Sequence, residues 1–138
     1  MYNIIKMPKK TQKYWRNKTD KVFSEYIRRR DADNNTGYCG CISCGKKIHY
    51  SQSDAGHFIS RKYLITRYDE RNVHSQCRKC NRFEYGRQYE YSINLGQELS
   101  QELLQTSRTM VKFTDSDWQE IYDEFKTKLD AIKKKQNF

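Results

Sequence analysis

Two Cys-x-x-Cys pairs constrain this chain more than any other feature. Cys41-Ile-Ser-Cys44-Gly45 and Cys77-Arg-Lys-Cys80-Asn81 are separated by 32 residues. Structural zinc takes four thiolates in a tetrahedron, and two such pairs on facing turns supply them at the right bite. Cys41, Cys44, Cys77 and Cys80 are therefore expected to hold one structural zinc. Buried or redox thiols would not explain two matched pairs. The insert between them is longer than a minimal zinc ribbon requires, so it should carry structure of its own. A closed four-sulfur shell leaves no position for substrate, which makes this zinc a staple. Cys39 falls outside the scheme and is read as a free thiol, with substitution as a ligand the alternative.

The size of the chain explains why a staple is useful. With 138 residues and 36% of them apolar, only a small core is available, and a structural metal supplements such a core. Five cysteines behind an N-terminus whose apolar stretch is too short for a secretory signal argue for metal ligation in a reducing, cytoplasmic setting. No apolar run is long enough to span a bilayer, so no membrane partner is expected.

The net charge of +10 is unevenly spread. Positions 1–40 hold ten basic and four acidic residues, and 41–91 hold ten and five, whereas 92–138 hold seven and eight. The excess surrounds the cysteine region, which suits a polyphosphate partner such as DNA; a merely solvated charged face is the plainer alternative.

The expected architecture is α+β, with residues 1–13 a basic leader and 14–138 a single domain. Within it, 14–37 form a basic helix, 38–95 the zinc-bearing core and 96–138 a helical scaffold. The helix should run from Thr11 to Arg30, packing through Trp15, Thr19, Val22 and Tyr26, widened by Phe23 and Ile27. Short strands are expected at Ile48–Tyr50, Ala55–Ile59 and Asn72–Gln76, with a basic loop from Arg61 to Arg71. A helix starting between Asn81 and Gly86 and ending at Gly96 should share one face among Tyr85, Tyr89 and Ile93. After a short helix over Glu98–Ser107, the last helix has Thr114 as N-cap, Asp117 at N3 and a Phe113–Trp118 staple. Its stripe is Trp118, Ile121, Tyr122, Phe125, Leu129 and Ile132.

Phosphodiester hydrolysis needs an activated water and a cation to stabilise charge on the phosphate and leaving oxygen. His57, on a strand of the insert, is the candidate general base. Asn81, directly after the last cysteine, is the candidate ligand of a second, exchangeable divalent ion. Asn72 could orient the histidine or brace the loop. A surface histidine and a turn asparagine are the structural alternatives for each taken alone.

At these residues the chain resembles zinc-bearing HNH, or ββα-metal, endonucleases. The fuller run is Phe23-Ser-Glu-Tyr-Ile-Arg28, Cys41–Gly45, Ala55-Gly-His-Phe58, Arg67–Asn72 and His74-Ser-Gln-Cys77. It is similar to the phage NinG (Rap) recombination endonucleases, whose members cut branched DNA such as Holliday junctions and D-loops. The resemblance implies a small ββα-metal core stapled by the zinc knuckles, and a magnesium- or manganese-dependent nuclease. His57 would then be the base, Asn81 the metal ligand and Asn72 the middle asparagine. Many HNH sites carry an aspartate just before the histidine, where this chain has Gly56. Asp54 would face the opposite side of a regular strand unless a bulge or Gly56 brought it round. Asp69, Glu70 and His74 are competing ligands.

The leading expectation is thus an endonuclease of branched DNA, a homodimer being natural for two symmetric cuts. A non-catalytic zinc module that binds DNA, and an HNH homing or restriction nuclease for linear duplex, are the alternatives.

Overall fold

Two long helices, one early and one late in the chain, pack on each other, and the early one also packs against a short hairpin. The computed structural model describes residues 9–138; the greater part of the expected leader, including Pro8, lies outside the described residues. Helix α1 (Gln12–Arg30) is started by Thr11, whose Oγ1 accepts from the Tyr14 amide at 3.0 Å. It buries Trp15, Thr19, Phe23 and Ile27, a straight i, i+4 stripe, with Val22 and Tyr26 packed at its margin. In chain order among the described residues, α2 spans Leu64–Arg67, α3 Gln88–Leu95, α4 Gln97–Thr106 and α5 Asp115–Lys135.

Helix α5 begins as its sequence predicts. Thr114 Oγ1 accepts from the Asp117 amide at 3.1 Å, and Asp117 returns the bond to the Thr114 amide at 2.8 Å. The Phe113 and Trp118 rings meet edge to face at 5.1 Å. Trp118, Phe125 and Leu129 are buried, with Phe125 edge-on to Phe23 at 4.7 Å. The tryptophans at either end of this contact exchange bonds across it. Trp15 donates to Asp115 at 3.1 Å and Trp118 to Gln12 at 3.0 Å, which lets both indoles be buried without an orphaned N–H. The apolar stripe of α5 is therefore covered by α1 of the same chain.

The strands form two separate antiparallel pairs. β1 (Tyr38–Gly40) pairs with β2 (Lys47–His49), and β3 (Ser53–His57) with β4 (Val73–Cys77). β1 is only three residues long, too short for its residues to mark it off from the turns around it. The Ala55–Ile59 expectation shifts two residues earlier, because the Phe58 and Ile59 amides already bond to Asn72. β4 starts one residue late, since Glu70–Asn72 forms a 3-10 turn capped by Asp69.

The largest correction concerns the segment after the second cysteine pair. Lys79–Phe83 forms a π turn and Tyr85–Arg87 a 3-10 turn, so α3 starts only at Gln88. Tyr85 (φ 54°), Gly86 (φ 79°) and Arg87 (φ 43°) are all left-handed, which no continuous helix allows. The changed phase leaves Tyr85, Tyr89 and Ile93 exposed and turns Tyr91 inward instead. Tyr91 is fully buried and its hydroxyl donates to the Gly56 carbonyl at 2.7 Å. Among the described residues no helix is long and apolar enough to cross a membrane.

Candidate functional site

The cysteine pairs meet at the base of the β3–β4 hairpin. The sulfurs of Cys41, Cys44, Cys77 and Cys80 all lie within 4.8 Å of one another. The Cys44–Cys77 separation is 3.8 Å, which is about the sulfur–sulfur edge of a tetrahedron with zinc–sulfur bonds of about 2.3 Å. The Cys44 amide turns toward Cys41 Sγ at 3.5 Å and the Cys80 amide toward Cys77 Sγ at 3.4 Å, the knuckle geometry that stabilises thiolates. These four residues could hold a zinc ion. Cys39 is buried on β1, its thiol against the Ile48 carbonyl at 3.4 Å and outside the cluster.

Beside this cluster lies a polar cleft of about 630 Å³. His57, Asp54 and Asn81 line it, together with Arg28, Arg61, Arg78 and Arg82. The β3–β4 ladder runs regularly from Ser53↔Cys77 to His57↔Val73, with no bulge. Asp54 reaches the cleft nonetheless, because β3 pairs on one side only and residues of both parities border its free edge. His57 comes from the face packed on α1, 6.3 Å from the Phe23 ring, and Asp54 from the face turned to Asn81. Asn81 Nδ2 donates to Asp54 Oδ2 at 2.9 Å, so its oxygen is the atom left for a cation. Arg82 clasps both Asp54 oxygens, each at 2.9 Å. The Gln76 carboxamide lies over Gly56, and a Cβ there would overlap that group.

His57 is fixed in one tautomer. Its Nε2 lies 2.9 Å from the Arg67 carbonyl, which only accepts, so Nε2 carries the proton and Nδ1 the lone pair. Burial holds its pKa down to about 4; the bond to the Arg67 carbonyl and Asp20 oppose this, while Arg61 and Arg67 add to it. The imidazole is accordingly neutral at physiological pH.

Asn72 does not line the cleft. It is fully buried, accepting from the Ile59 amide at 2.7 Å and donating to the Ile59 and Thr66 carbonyls at 3.1 and 3.0 Å. It thus braces the loop that presents the Arg67 carbonyl to His57, and acts on the histidine through that loop. The other carboxylates are engaged elsewhere. Asp69 pairs with Arg71 at 2.9 Å. Glu70 takes bonds from Tyr26 at 2.7 Å and Lys128 at 2.5 Å; burial works to raise its pKa, but these partners outweigh it. His74 lies on the side of the hairpin facing Tyr91, at 3.3 Å from its hydroxyl, and burial lowers its pKa.

Four contributors were not singled out as site residues by the sequence. Asp20 of α1 binds Arg67 at 2.6 and 3.1 Å and Tyr68 at 2.7 Å, anchoring the carbonyl on which His57 depends. Arg78 and Arg82 flank Cys80 in the chain, yet their arrival in the cleft depends on the π turn. Arg61 links the cleft to a neighbouring groove lined by Arg16, Lys62 and Arg67, extending the basic surface along α1. Only the density of arginines around the cysteines signalled any of this.

A family model described as "Bacteriophage Lambda NinG protein" matches residues 2–136. Protein ninG of Escherichia phage 933W is 29% identical over 134 residues, which cover 94% of this chain and 64% of the relative. The namesake from Escherichia phage lambda is 29% identical over the same length, with 94% and 63% covered. That from Enterobacteria phage H19B is 34% identical over 100 residues, covering 72% and 47%. The chain therefore spans a little under two thirds of the length of the first two relatives. No solved structure matches. Since the family match runs through both cysteine pairs, the hairpin and both long helices, this chain belongs to the NinG family of phage proteins.

Proposed function

We propose that this chain is a divalent-metal-dependent endonuclease that hydrolyses phosphodiester bonds in branched DNA during phage recombination, with a ββα-metal core of the HNH kind. The observation that carries this is the convergence of His57 and Asp54 of β3 with Asn81 of the turn after Cys80 on one arginine-lined cleft, from two separate stretches of sequence. Asp54 and Asn81 offer hard oxygen ligands suited to magnesium or manganese, and Asn72, Asp69, Glu70 and His74 do not face that space. When bound there, such an ion supplies charge stabilisation for the phosphate and the departing oxygen.

The residues themselves account for the rest. Arg28, Arg61 and Arg78 draw the DNA backbone into the cleft and hold a phosphate against β3. Arg82, which side-chain exposure of 54% leaves free to turn, can move to a phosphate oxygen and release Asp54. His57 Nδ1 takes a proton from water, the oxygen of that water bonds to phosphorus, and the bond to the leaving sugar oxygen breaks. Pairing of Arg61 with phosphate removes one of the charges depressing the His57 pKa, moving the base toward working pH as substrate arrives. Two symmetric cuts in a junction call for two such clefts, hence a homodimer on DNA.

Wild type and His57→Ala would be incubated with a labelled four-way junction and a matched linear duplex, with and without magnesium. Magnesium-dependent cutting of the junction, lost in His57→Ala, is expected. Binding by the wild type with no cutting would instead favour a non-catalytic DNA-binding zinc module. Equal cutting of duplex would remove the preference for branches.

A further inference from the structure

The stretch from Phe83 to Tyr89 is built in a way that folding alone does not favour. Phe83, Tyr85 and Tyr89 are 77%, 94% and 75% exposed, and none of these rings gains from the core. Tyr85 and Arg87 also hold left-handed backbones, a conformation that large L side chains rarely adopt. Strain of this sort persists only where the surroundings impose it. Here the Gly86 carbonyl receives Ser43 Oγ at 2.8 Å and Gln76 Nε2 at 2.6 Å, both from buried side chains. The turn is thereby fastened to the first cysteine knuckle and to β4, the strand opposite Asp54. The fold has fixed the backbone under Tyr85 while leaving its ring in water.

This stretch grows directly out of the cleft. Arg82 lines the cleft and Phe83 follows it in the chain. Residues 78–90 carry Arg78, Lys79, Arg82 and Arg87 against the acids Glu84 and Glu90. Glu84 pairs with Lys79 and Arg87 at 3.5 and 3.3 Å and Glu90 with Arg87 at 3.2 Å, which still leaves a positive excess around the rings. Aromatic rings on a cationic rim suit single-stranded nucleic acid, whose base faces are open for stacking; paired bases inside a duplex offer none.

We propose that Phe83, Tyr85 and Tyr89 form an aromatic ridge that stacks on bases unpaired at a DNA branch point, so that branch recognition resides here and phosphate recognition in the arginines of the cleft. This rests on the cleft being a DNA site. The ridge selects the substrate, and the strained turn keeps it rigid enough to meet an opened branch without first being ordered.

The test uses zinc-loaded protein without magnesium, and reads anisotropy of a labelled four-way junction and a matched duplex. 2-Aminopurine at the branch reports stacking. The variants are Tyr85→Asn (asparagine tolerates the left-handed backbone), Tyr89→Ser and Tyr85→Trp, each checked by thermal melting. Junction binding is expected to fall about tenfold in Tyr85→Asn and in Tyr89→Ser while duplex binding stays within about twofold, and Tyr85→Trp should retain the wild-type preference. Unchanged junction binding, or an equal loss on both DNAs, would overturn the ridge. A parallel reaction with magnesium separates the two ideas. Wild type that cuts junctions while Tyr85→Asn binds them normally would sink the ridge and spare the nuclease. A ridge-dependent preference without any cutting would do the reverse.

Discussion

Acidification should reach the fold through His57. Its pKa is near 4 in the folded chain and 6.5 when unperturbed, so between these values the unfolded chain binds a proton that the folded chain excludes. Stability therefore rises with pH across this window: the contribution is fully present above the unfolded value and is lost as pH falls toward the folded one. Applied to this one group, the linkage relation gives a loss of about 2 kcal/mol between about pH 7.5 and about pH 5, approaching about 3 kcal/mol once both forms are protonated. Urea unfolding of wild type and His57→Gln at both pH values isolates this share, because His74, also held low by burial, is common to both proteins. Long-range proton–nitrogen NMR of the imidazole gives the tautomer and titration directly. An Nε2–H form that stays neutral down to about pH 5 is expected. An imidazole that titrates at or above its unperturbed value, or equal pH dependence in the two proteins, would refute the link between burial, the Arg67 carbonyl and a neutral base.

Other perturbations separate scaffold from chemistry. Asn72→Ala strands the Ile59 amide and two carbonyls in a buried site, and should cost about 3 kcal/mol by denaturant titration while loosening His57. Phe125→Ala, at the α1–α5 contact, should cost about 3–4 kcal/mol with no selective effect on cutting rate per folded molecule. Asp54→Asn should keep the melting temperature within a few degrees yet lower junction cutting on the order of 100-fold, with weakened manganese binding by calorimetry as the independent check. Zinc removal by a strong chelator, or Cys44→Ser, should unfold the hairpin before any loss specific to catalysis. A full circular dichroism spectrum and melt retained in metal-free protein would contradict it.

Much of this was legible because local rules governed it. Thr114, Asp117, Phe113 and Trp118 sit close together in the chain and specify one helix start without reference to anything distant. The cysteine spacing likewise constrains four residues at once. Asp54 was harder, since alternation along a strand places it opposite His57, and only the one-sided pairing of β3 lets both reach a common cleft. Asn72 was identified as important, but its burial and three bonds belong to the tertiary packing of a loop. The helix after Cys80 was misplaced because its residues have adequate helical propensity, while the clamp on Gly86 from Ser43 and Gln76 imposes a left-handed turn. Arg67 contributes through its backbone carbonyl, an atom every residue type possesses and no sequence pattern can mark.

The meeting of the two cysteine pairs has a topological consequence. With zinc bound, the stretch from Cys41 to Cys80 becomes a closed ring, and β3, β4 and the whole basic loop lie on its circumference. A protease cut at the exposed tip between Ser60 and Lys62 would then break the polypeptide but open the ring into two arms still joined at four sulfurs. The nicked molecule should run as one species under native conditions and fall apart only when denaturant and chelator act together. Length changes at that tip would alter the circumference without moving the junction that closes it.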